Sequence, residues 1–226
     1  MVKKTTAPME KLAETKRSKQ EQERDQQIIA GLKAAYGGIG PALKFDSVYQ
    51  LLVAVILSAQ TNDNQVNKIT EVLFTKYGTP EKMAELTIPE IEDYIRTCGL
   101  YKNKAKSIYA TTRILLEQYG GEVPKTREEL VKLPGVGRKT ANVVLSVGYH
   151  LPALAVDTHV FRVAHRMGFS EGKTPDQVEA DLCHIIPEEE WAAAHHWLIW
   201  HGRKVCHAKK PVCEDCPVVA WCPQNI

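Results

Sequence analysis

The chain has 226 residues, 44% hydrophobic, 25% charged and 7% aromatic, with a formal charge of +2. It is too apolar for a disordered chain and too charged for a membrane bundle, and it is long enough to bury a core without disulfides. No uncharged run approaches the ~20 residues of a membrane span. Residues 1–25 read as a flexible polar tail that turns helical near its end. The tail lacks an apolar signal core, and Glu10, Glu14, Glu21 and Glu23 interrupt any mitochondrial address, so a cytoplasmic protein is expected. Residues 1–27 hold seven basic and five acidic side chains, an excess of two that equals the charge of the whole chain. The rest is near neutral, so nucleic-acid binding would have to come from local patches.

From there the pattern is helical. Ile28, Ile29, Leu32 and Tyr36 step at helical spacing until Gly37-Gly38 stop the run. Asp46 or Ser47 caps Val48–Leu57, which is apolar nearly all round and therefore central. Asn62 opens a helix ended by Gly78. Thr79-Pro80-Glu81 and Thr87-Ile88-Pro89-Glu90 are two further starts with proline early in the turn. Lys104–Tyr119 is amphipathic and closed by Gly120-Gly121. Thr126-Arg127-Glu128-Glu129 looks like a capping box before a short helix to Leu133. Further helices follow to Val147, from Asp157 or Thr158 to Met167, over Asp176–Ile186, and over Glu188–His201. No segment alternates with period two. The fold class is all-α.

Leu133-Pro134-Gly135-Val136-Gly137-Arg138-Lys139-Thr140-Ala141 is the most informative segment. Two glycines around one apolar residue permit a tight turn of positive-φ backbone between helices. Bare backbone can then approach a phosphate, toward which the N–H groups opening the next helix point. On glycine spacing alone a plain helical hairpin is the simpler reading. The full context resembles the helix-hairpin-helix motif with which DNA repair glycosylases hold a strand by its phosphates. An ordinary lysine is almost wholly ammonium at neutral pH and cannot attack. Burial, the positive helix end and neighbouring Arg138 would each disfavour the charge on Lys139. From position alone, nucleophile and phosphate contact stand nearly even.

Eighteen residues on comes Asp157, in Ala155-Val156-Asp157-Thr158-His159. An aspartate opening a helix is ordinarily an N-cap. Its place after an apolar stretch also suits a carboxylate that stabilises positive charge developing on a sugar. Near the C-terminus the spacing is Cys206-x6-Cys213-x2-Cys216-x5-Cys222, which suits zinc or an iron–sulfur cluster about equally. Clustered cysteines in an intracellular chain point to metal more than to disulfides. Cys98 and Cys183 read as small buried apolar residues. Arg203, Lys204, Lys209 and Lys210 form a basic lobe around the first ligand, either a solvated loop or a phosphate grip. His195, His196 and His201 lack companion ligands and read as surface and core histidines.

The Gly-Val-Gly hairpin with its lysine, the Asp-Thr-His eighteen residues later and the x6-x2-x5 cysteines together resemble the endonuclease III family. The resemblance runs from about Gln26 to Cys222 and includes Leu57-Ser58-Ala59-Gln60-Thr61-Asn62-Asp63 and Gly99-Leu100-Tyr101-Lys102-Asn103-Lys104-Ala105. It implies one [4Fe-4S] cluster per chain on the four cysteines, and catalytic roles for Lys139 and Asp157. Gln60 would fill the space of an extruded nucleotide and Leu100 would wedge the opposite strand, offsetting an unstacking cost of a few kcal/mol. Asp63, Gly135, Val136, Gly137, Arg138, Thr140 and His159 complete the implied DNA-contact set. Cys98 departs from the larger apolar residue common there.

The implied fold has two helical lobes. A six-helix domain over residues 45–151 contains the hairpin at about 126–148, and a cluster domain joins 26–44 to 152–226. The implied partner is damaged double-stranded DNA, met by a monomer in the prokaryotic cytoplasm and nucleoid. The implied activity is excision of oxidised pyrimidines such as thymine glycol, followed by β-elimination through a lysine Schiff base. An adenine glycosylase of mispairs would lack Lys139 and extend past the cluster. A non-catalytic DNA-binding module would have no need of both Lys139 and Asp157.

Overall fold

The structure, a computed structural model, describes residues 17–224. Among them every regular element is helical, and no helix is long and apolar enough to cross a membrane. Helix α1 (Lys19–Tyr36) opens on a capping box in which Ser18 Oγ accepts from Glu21 N and Glu21 Oε2 accepts from Ser18 N. It begins near the end of the 1–25 segment, where the tail was expected to turn helical; residues 1–16 lie outside the described residues. Its early turns are fixed by Asp25, 2% exposed, which pairs with Arg17 at 2.5 Å and Arg24 at 2.9 Å. A buried carboxylate is tolerated only with such partners. Both arginines also donate to the Gly168 carbonyl.

Helix α2 (Val48–Ser58) is capped by Ser47, not Asp46, and is buried from Leu51 through Leu57, as its all-round apolar pattern requires. Around it lie α3 (Asp63–Tyr77), α4 (Pro80–Met83), α5 (Ile88–Ile95) and α6 (Tyr101–Tyr119). Asn62, Thr79 and Thr87 stand at the N-caps of α3, α4 and α5. The short α7 (Arg127–Leu130) and α8 (Arg138–Val143) follow, and α8 runs on as a π-helical turn over Val144–Gly148. The chain closes with α9 (Thr158–Arg166), α10 (Pro175–Ile185) and α11 (Trp191–Lys204).

Two compact units result. One takes the chain up to Gly37, Val156–Pro187 and the chain from Trp197; the other takes Gly38–Ala155 and Glu188–His196. The divisions thus differ by several residues from those expected at 44/45 and 151/152, and the start of α11 groups with the hairpin unit. That unit holds seven helices, α2–α8, where six were expected; α4 and α7 are single turns. Its core is continuous, from Leu52, Leu57 and Leu73 through Ile91 and Ile108 to Leu133 and Val144. Each fully buried side chain of this size is worth roughly 1.5–3 kcal/mol. In the other unit a Cβ on Gly31 would lie 2.6 Å from Val218 Cγ1, so only glycine lets α1 approach the cysteine loop.

Candidate nucleic-acid interface and metal centre

The hairpin is built from its apolar residues outward. Leu133 and Val136 are buried, and Thr111 Oγ1 on α6 donates to the Pro134 carbonyl at 2.9 Å, pinning the turn. Gly135 has φ +80, and a Cβ there would meet Ser107 Cβ at 2.8 Å. Gly137 departs from the expectation of two positive-φ glycines. It is extended (φ −92, ψ 178), and a Cβ on it would meet nothing within 4 Å. Its value is openness, because it caps α8 without a side chain over the first N–H groups.

Arg138 and Lys139 stand exposed in the first turn of α8, and Thr140 is half-buried. Lys139 is thus not buried: at the mouth of a short helix its long side chain projects into solvent. Three residues on, Asn142 is fully buried, and its Nδ2 donates to the Leu154 carbonyl at 2.9 Å. Sequence reasoning missed Asn142, although an amide inside an apolar Ala141–Leu145 run is itself a signal.

Gln60 and Leu100 both occupy left-handed backbone, at φ 54 and φ 59, and both are exposed, Leu100 by 54%. Non-glycine residues rarely take this conformation, and they gather where a side chain must be presented outward. Asp63 is half-buried at the start of α3. Beneath the two turns lies buried Lys104, also missed because it looks like an ordinary residue of an amphipathic helix.

Asp157 is the N-cap of α9. Its Oδ1 accepts from His159 N and Val160 N, both at 2.8 Å, and it follows the buried run Ala153–Val156. The capping role is thus present, and the half-buried carboxylate retains Oδ2, which takes no hydrogen bond among the described residues. His159 packs beside Arg162, whose Nη2 lies 3.3 Å from His159 Nδ1, and burial lowers the imidazole pKa.

Cys206, Cys213, Cys216 and Cys222 line one small cavity with Arg166, Met167, His201 and Val205. Two arginines one turn apart on α9 brace the first ligand. Arg162 donates to the Cys206 carbonyl at 3.0–3.1 Å; Arg166 donates to Cys206 Sγ at 3.5 Å, His207 O at 2.6 Å and Ala208 O at 2.8 Å. Cys222 Sγ donates to the Arg166 carbonyl at 3.5 Å, and His201 Nε2 lies 3.8 Å from Cys216 Sγ. Burial raises the thiol pKa of Cys216 and Cys222 and lowers that of His201 to about 4. The arginine pair was legible only as an i, i+4 spacing with no stated target.

Among the described residues no three His, Cys, Asp or Glu converge tightly enough to hold one ion. Four thiols lining one cavity are a soft donor set of the kind that holds an iron–sulfur cluster or zinc. The donor set fits the cluster. Cys98 is buried as expected, Cys183 only half-buried. Arg203, Lys204, Lys209 and Lys210 are all exposed, with Arg203 and Lys204 over the Trp200 ring at 5.7 and 5.2 Å. His195 and His201 are core residues, and His196 is half-buried.

Residues 53–188 match the family described as HhH-GPD superfamily base excision DNA repair protein. Endonuclease III of Rickettsia conorii is 48% identical over 200 residues, 87% of this chain and 95% of that protein. Endonuclease III of Escherichia coli K12 is 51% identical over 180 residues, 80% of this chain and 85% of that one. A solved trapped endonuclease III–DNA covalent intermediate superimposes with TM-score 0.86 at 44% identity, covering 90% of this chain and 96% of that chain. A non-covalent endonuclease III–DNA complex gives 0.85 at 43% identity, covering 92% and 97%. On the family match and the identity to these relatives over most of its length, the chain belongs to the endonuclease III family of HhH-GPD base excision DNA repair proteins.

Proposed function

We propose that the chain is a bifunctional base excision repair enzyme that removes oxidised pyrimidines of the thymine glycol type and then nicks the strand. The observation that carries this reading is an exposed lysine in the first helical turn after an open Gly-Val-Gly hairpin, in a fold whose solved relative is described as covalently trapped on DNA.

In this mechanism the hairpin N–H groups, Arg138 and Thr140 hold the phosphates, and Gln60 and Leu100 enter the gap left by the extruded nucleotide. Asp63, His159, Arg203, Lys204, Lys209 and Lys210 complete the contacts. The unprotonated amine of Lys139 attacks the sugar C1′, and the C1′–N bond breaks with its electron pair leaving on the base, which takes a proton. Ring opening gives the Schiff base, loss of a C2′ proton drives β-elimination of the 3′ phosphate, and water releases the lysine. Asp157 stabilises the positive charge that develops on the sugar and assists the proton transfers. Cys206, Cys213, Cys216 and Cys222 hold one [4Fe-4S] cluster, which when bound cross-links the C-terminal loop. The enzyme acts as a monomer on damaged duplex DNA in the cytoplasm and nucleoid of a prokaryote.

The test is a panel of duplexes carrying thymine glycol, dihydrouracil, oxoguanine opposite cytosine, and adenine opposite oxoguanine. Excision with strand nicking on the first two is expected. Excision of adenine without nicking would replace this reading with a mispair glycosylase.

A further inference from the structure

We propose that Lys104 is a positioning residue for strand insertion: its buried amine ties the turn carrying Gln60 to the turn carrying Leu100 and sets the spacing at which the two side chains enter the duplex. This rests on the proposal that Gln60 and Leu100 insert, and it assigns a role to a residue beneath them that touches no DNA.

The linkage is continuous. Lys104 is 5% exposed in the second turn of α6, and its Nζ donates to the Leu57 carbonyl at 2.8 Å and to Thr61 Oγ1 at 3.0 Å. Thr61 Oγ1 also accepts from Gly99 N at 3.3 Å. Gln60 lies between the two acceptors of Lys104, and Leu100 follows directly on the donor Gly99. At that point the backbones nearly touch, because a Cβ on Gly99 would stand 3.0 Å from the Gln60 carbonyl oxygen. Both Gln60 and Leu100 hold left-handed backbone, which persists only where the surroundings over-determine it. Neither turn supplies a glycine at its left-handed residue. The constraint therefore comes from elsewhere: Thr61 Oγ1 accepts from Gly99 on one side and from the buried Lys104 amine on the other, and the lysine also holds the Leu57 carbonyl.

Stability alone is a poor reason for this lysine. A buried cation is costly and the two acceptors of Lys104 are neutral, so the bridge gains in stability only what pairing the Leu57 carbonyl and the Thr61 hydroxyl returns. Burial pushes the amine pKa down and that of neighbouring Cys98 up, which fits a desolvated bridge under the surface. The carbonyl it reaches, Leu57, lies in the last turn of α2, where helical acceptors lack intrahelical partners. A three-donor ammonium can satisfy both that carbonyl and the threonine.

The experiment compares the full-length wild type with Lys104→Met, Lys104→Gln and Thr61→Val. Two readouts are taken: the ratio of nicking rates on abasic duplex and abasic single-stranded DNA, and fluorescence of 2-aminopurine opposite the lesion, which rises on unstacking. Lys104→Met should lower the ratio about tenfold or more, as expected when a charged hydrogen bond is removed, and blunt the fluorescence rise. Lys104→Gln, which keeps a donor, should recover part of both. A ratio and fluorescence rise equal to wild type in Lys104→Met would overturn the proposal, as would equal slowing on both substrates. If Lys104→Met does not fold, Thr61→Val, which removes the hydrogen bonds of both Lys104 and Gly99 to Thr61 at constant shape, is read with Lys104→Gln, and wild-type ratio and fluorescence in both would overturn the proposal. Gln60→Ala and Leu100→Ala run alongside. If these two leave the fluorescence rise intact, the insertion reading itself fails; if they abolish it while Lys104→Met does not, only the lysine bridge fails.

Discussion

At Asp157 two roles share one carboxylate and can be separated by chemistry. Oδ1 caps α9 through His159 N and Val160 N, a role asparagine fills equally well. Asp157→Asn should therefore leave the thermal midpoint nearly unmoved while base excision slows about 100-fold or more, because the charge aimed at the sugar is gone. Loss of stability in proportion to loss of rate would reduce the residue to a cap. Lys139 makes the complementary case. Borohydride reduces a Schiff base to a permanent protein–DNA link, so wild type should be trapped on abasic duplex while Lys139→Gln is not, with damaged-DNA binding largely kept. A crosslink in Lys139→Gln would place the nucleophile elsewhere. Both residues were legible in the sequence through their motif context, but their surroundings were not. Exposure of Lys139 depends on how far a six-residue helix carries it beyond its neighbours, which no local pattern encodes.

Among the elements, the hairpin assigns different work to its two glycines. Gly135→Ala puts a Cβ into Ser107 at positive φ and should cost roughly 1–3 kcal/mol, measured by denaturant unfolding. Gly137→Ala meets open space at an ordinary φ, so stability should change by no more than about 1 kcal/mol. Its methyl group would nonetheless stand at the N–H groups of α8, and DNA affinity should fall. Equal effects of the two changes on stability would contradict this division. Helix starts were well read from sequence where a cap was named, since Asn62, Thr79, Thr87 and Thr126 all sit at N-caps; the Thr174 cap of α10 was not named. The contacts that fix the start of α1 were not legible, because Arg17 and Arg24 meet Asp25 and the Gly168 carbonyl, more than 140 residues away in sequence. The π-turn after Asn142 was equally hidden, as nothing in Val144–Gly148 distinguishes it from α-helix. In the cysteine loop, the purified protein should be yellow-brown, and Cys213→Ala should lose colour and stability together. A colourless, zinc-loaded and fully active wild type would overturn the cluster assignment.

For the whole molecule, charge decides how DNA is gripped. The net +2 arises from 29 basic against 27 acidic residues, so no global field draws the chain to a polyanion. Affinity must come from placed cations, and four of them, Arg203, Lys204, Lys209 and Lys210, flank Cys206 on a backbone braced by Arg162 and Arg166. Exposed Glu214 and Asp215 follow close behind and partly offset the lobe, so proximity in sequence does not settle whether its lysines reach phosphate. Salt dependence does settle it. Each neutralised phosphate releases condensed counterions on binding, and the slope of log affinity against log salt steepens by about 0.9 per phosphate on duplex DNA. The double change Lys209→Glu and Lys210→Glu should weaken binding to damaged and undamaged duplex alike and shrink that slope by about one for each of the two lysines that grips a phosphate. Lesion preference, taken as the ratio of the two affinities at one salt concentration, should stay as in wild type, because backbone contacts carry no base information. A slope identical to wild type would mean that the lobe is solvated in the complex, leaving the hairpin and the two inserting turns to supply the grip.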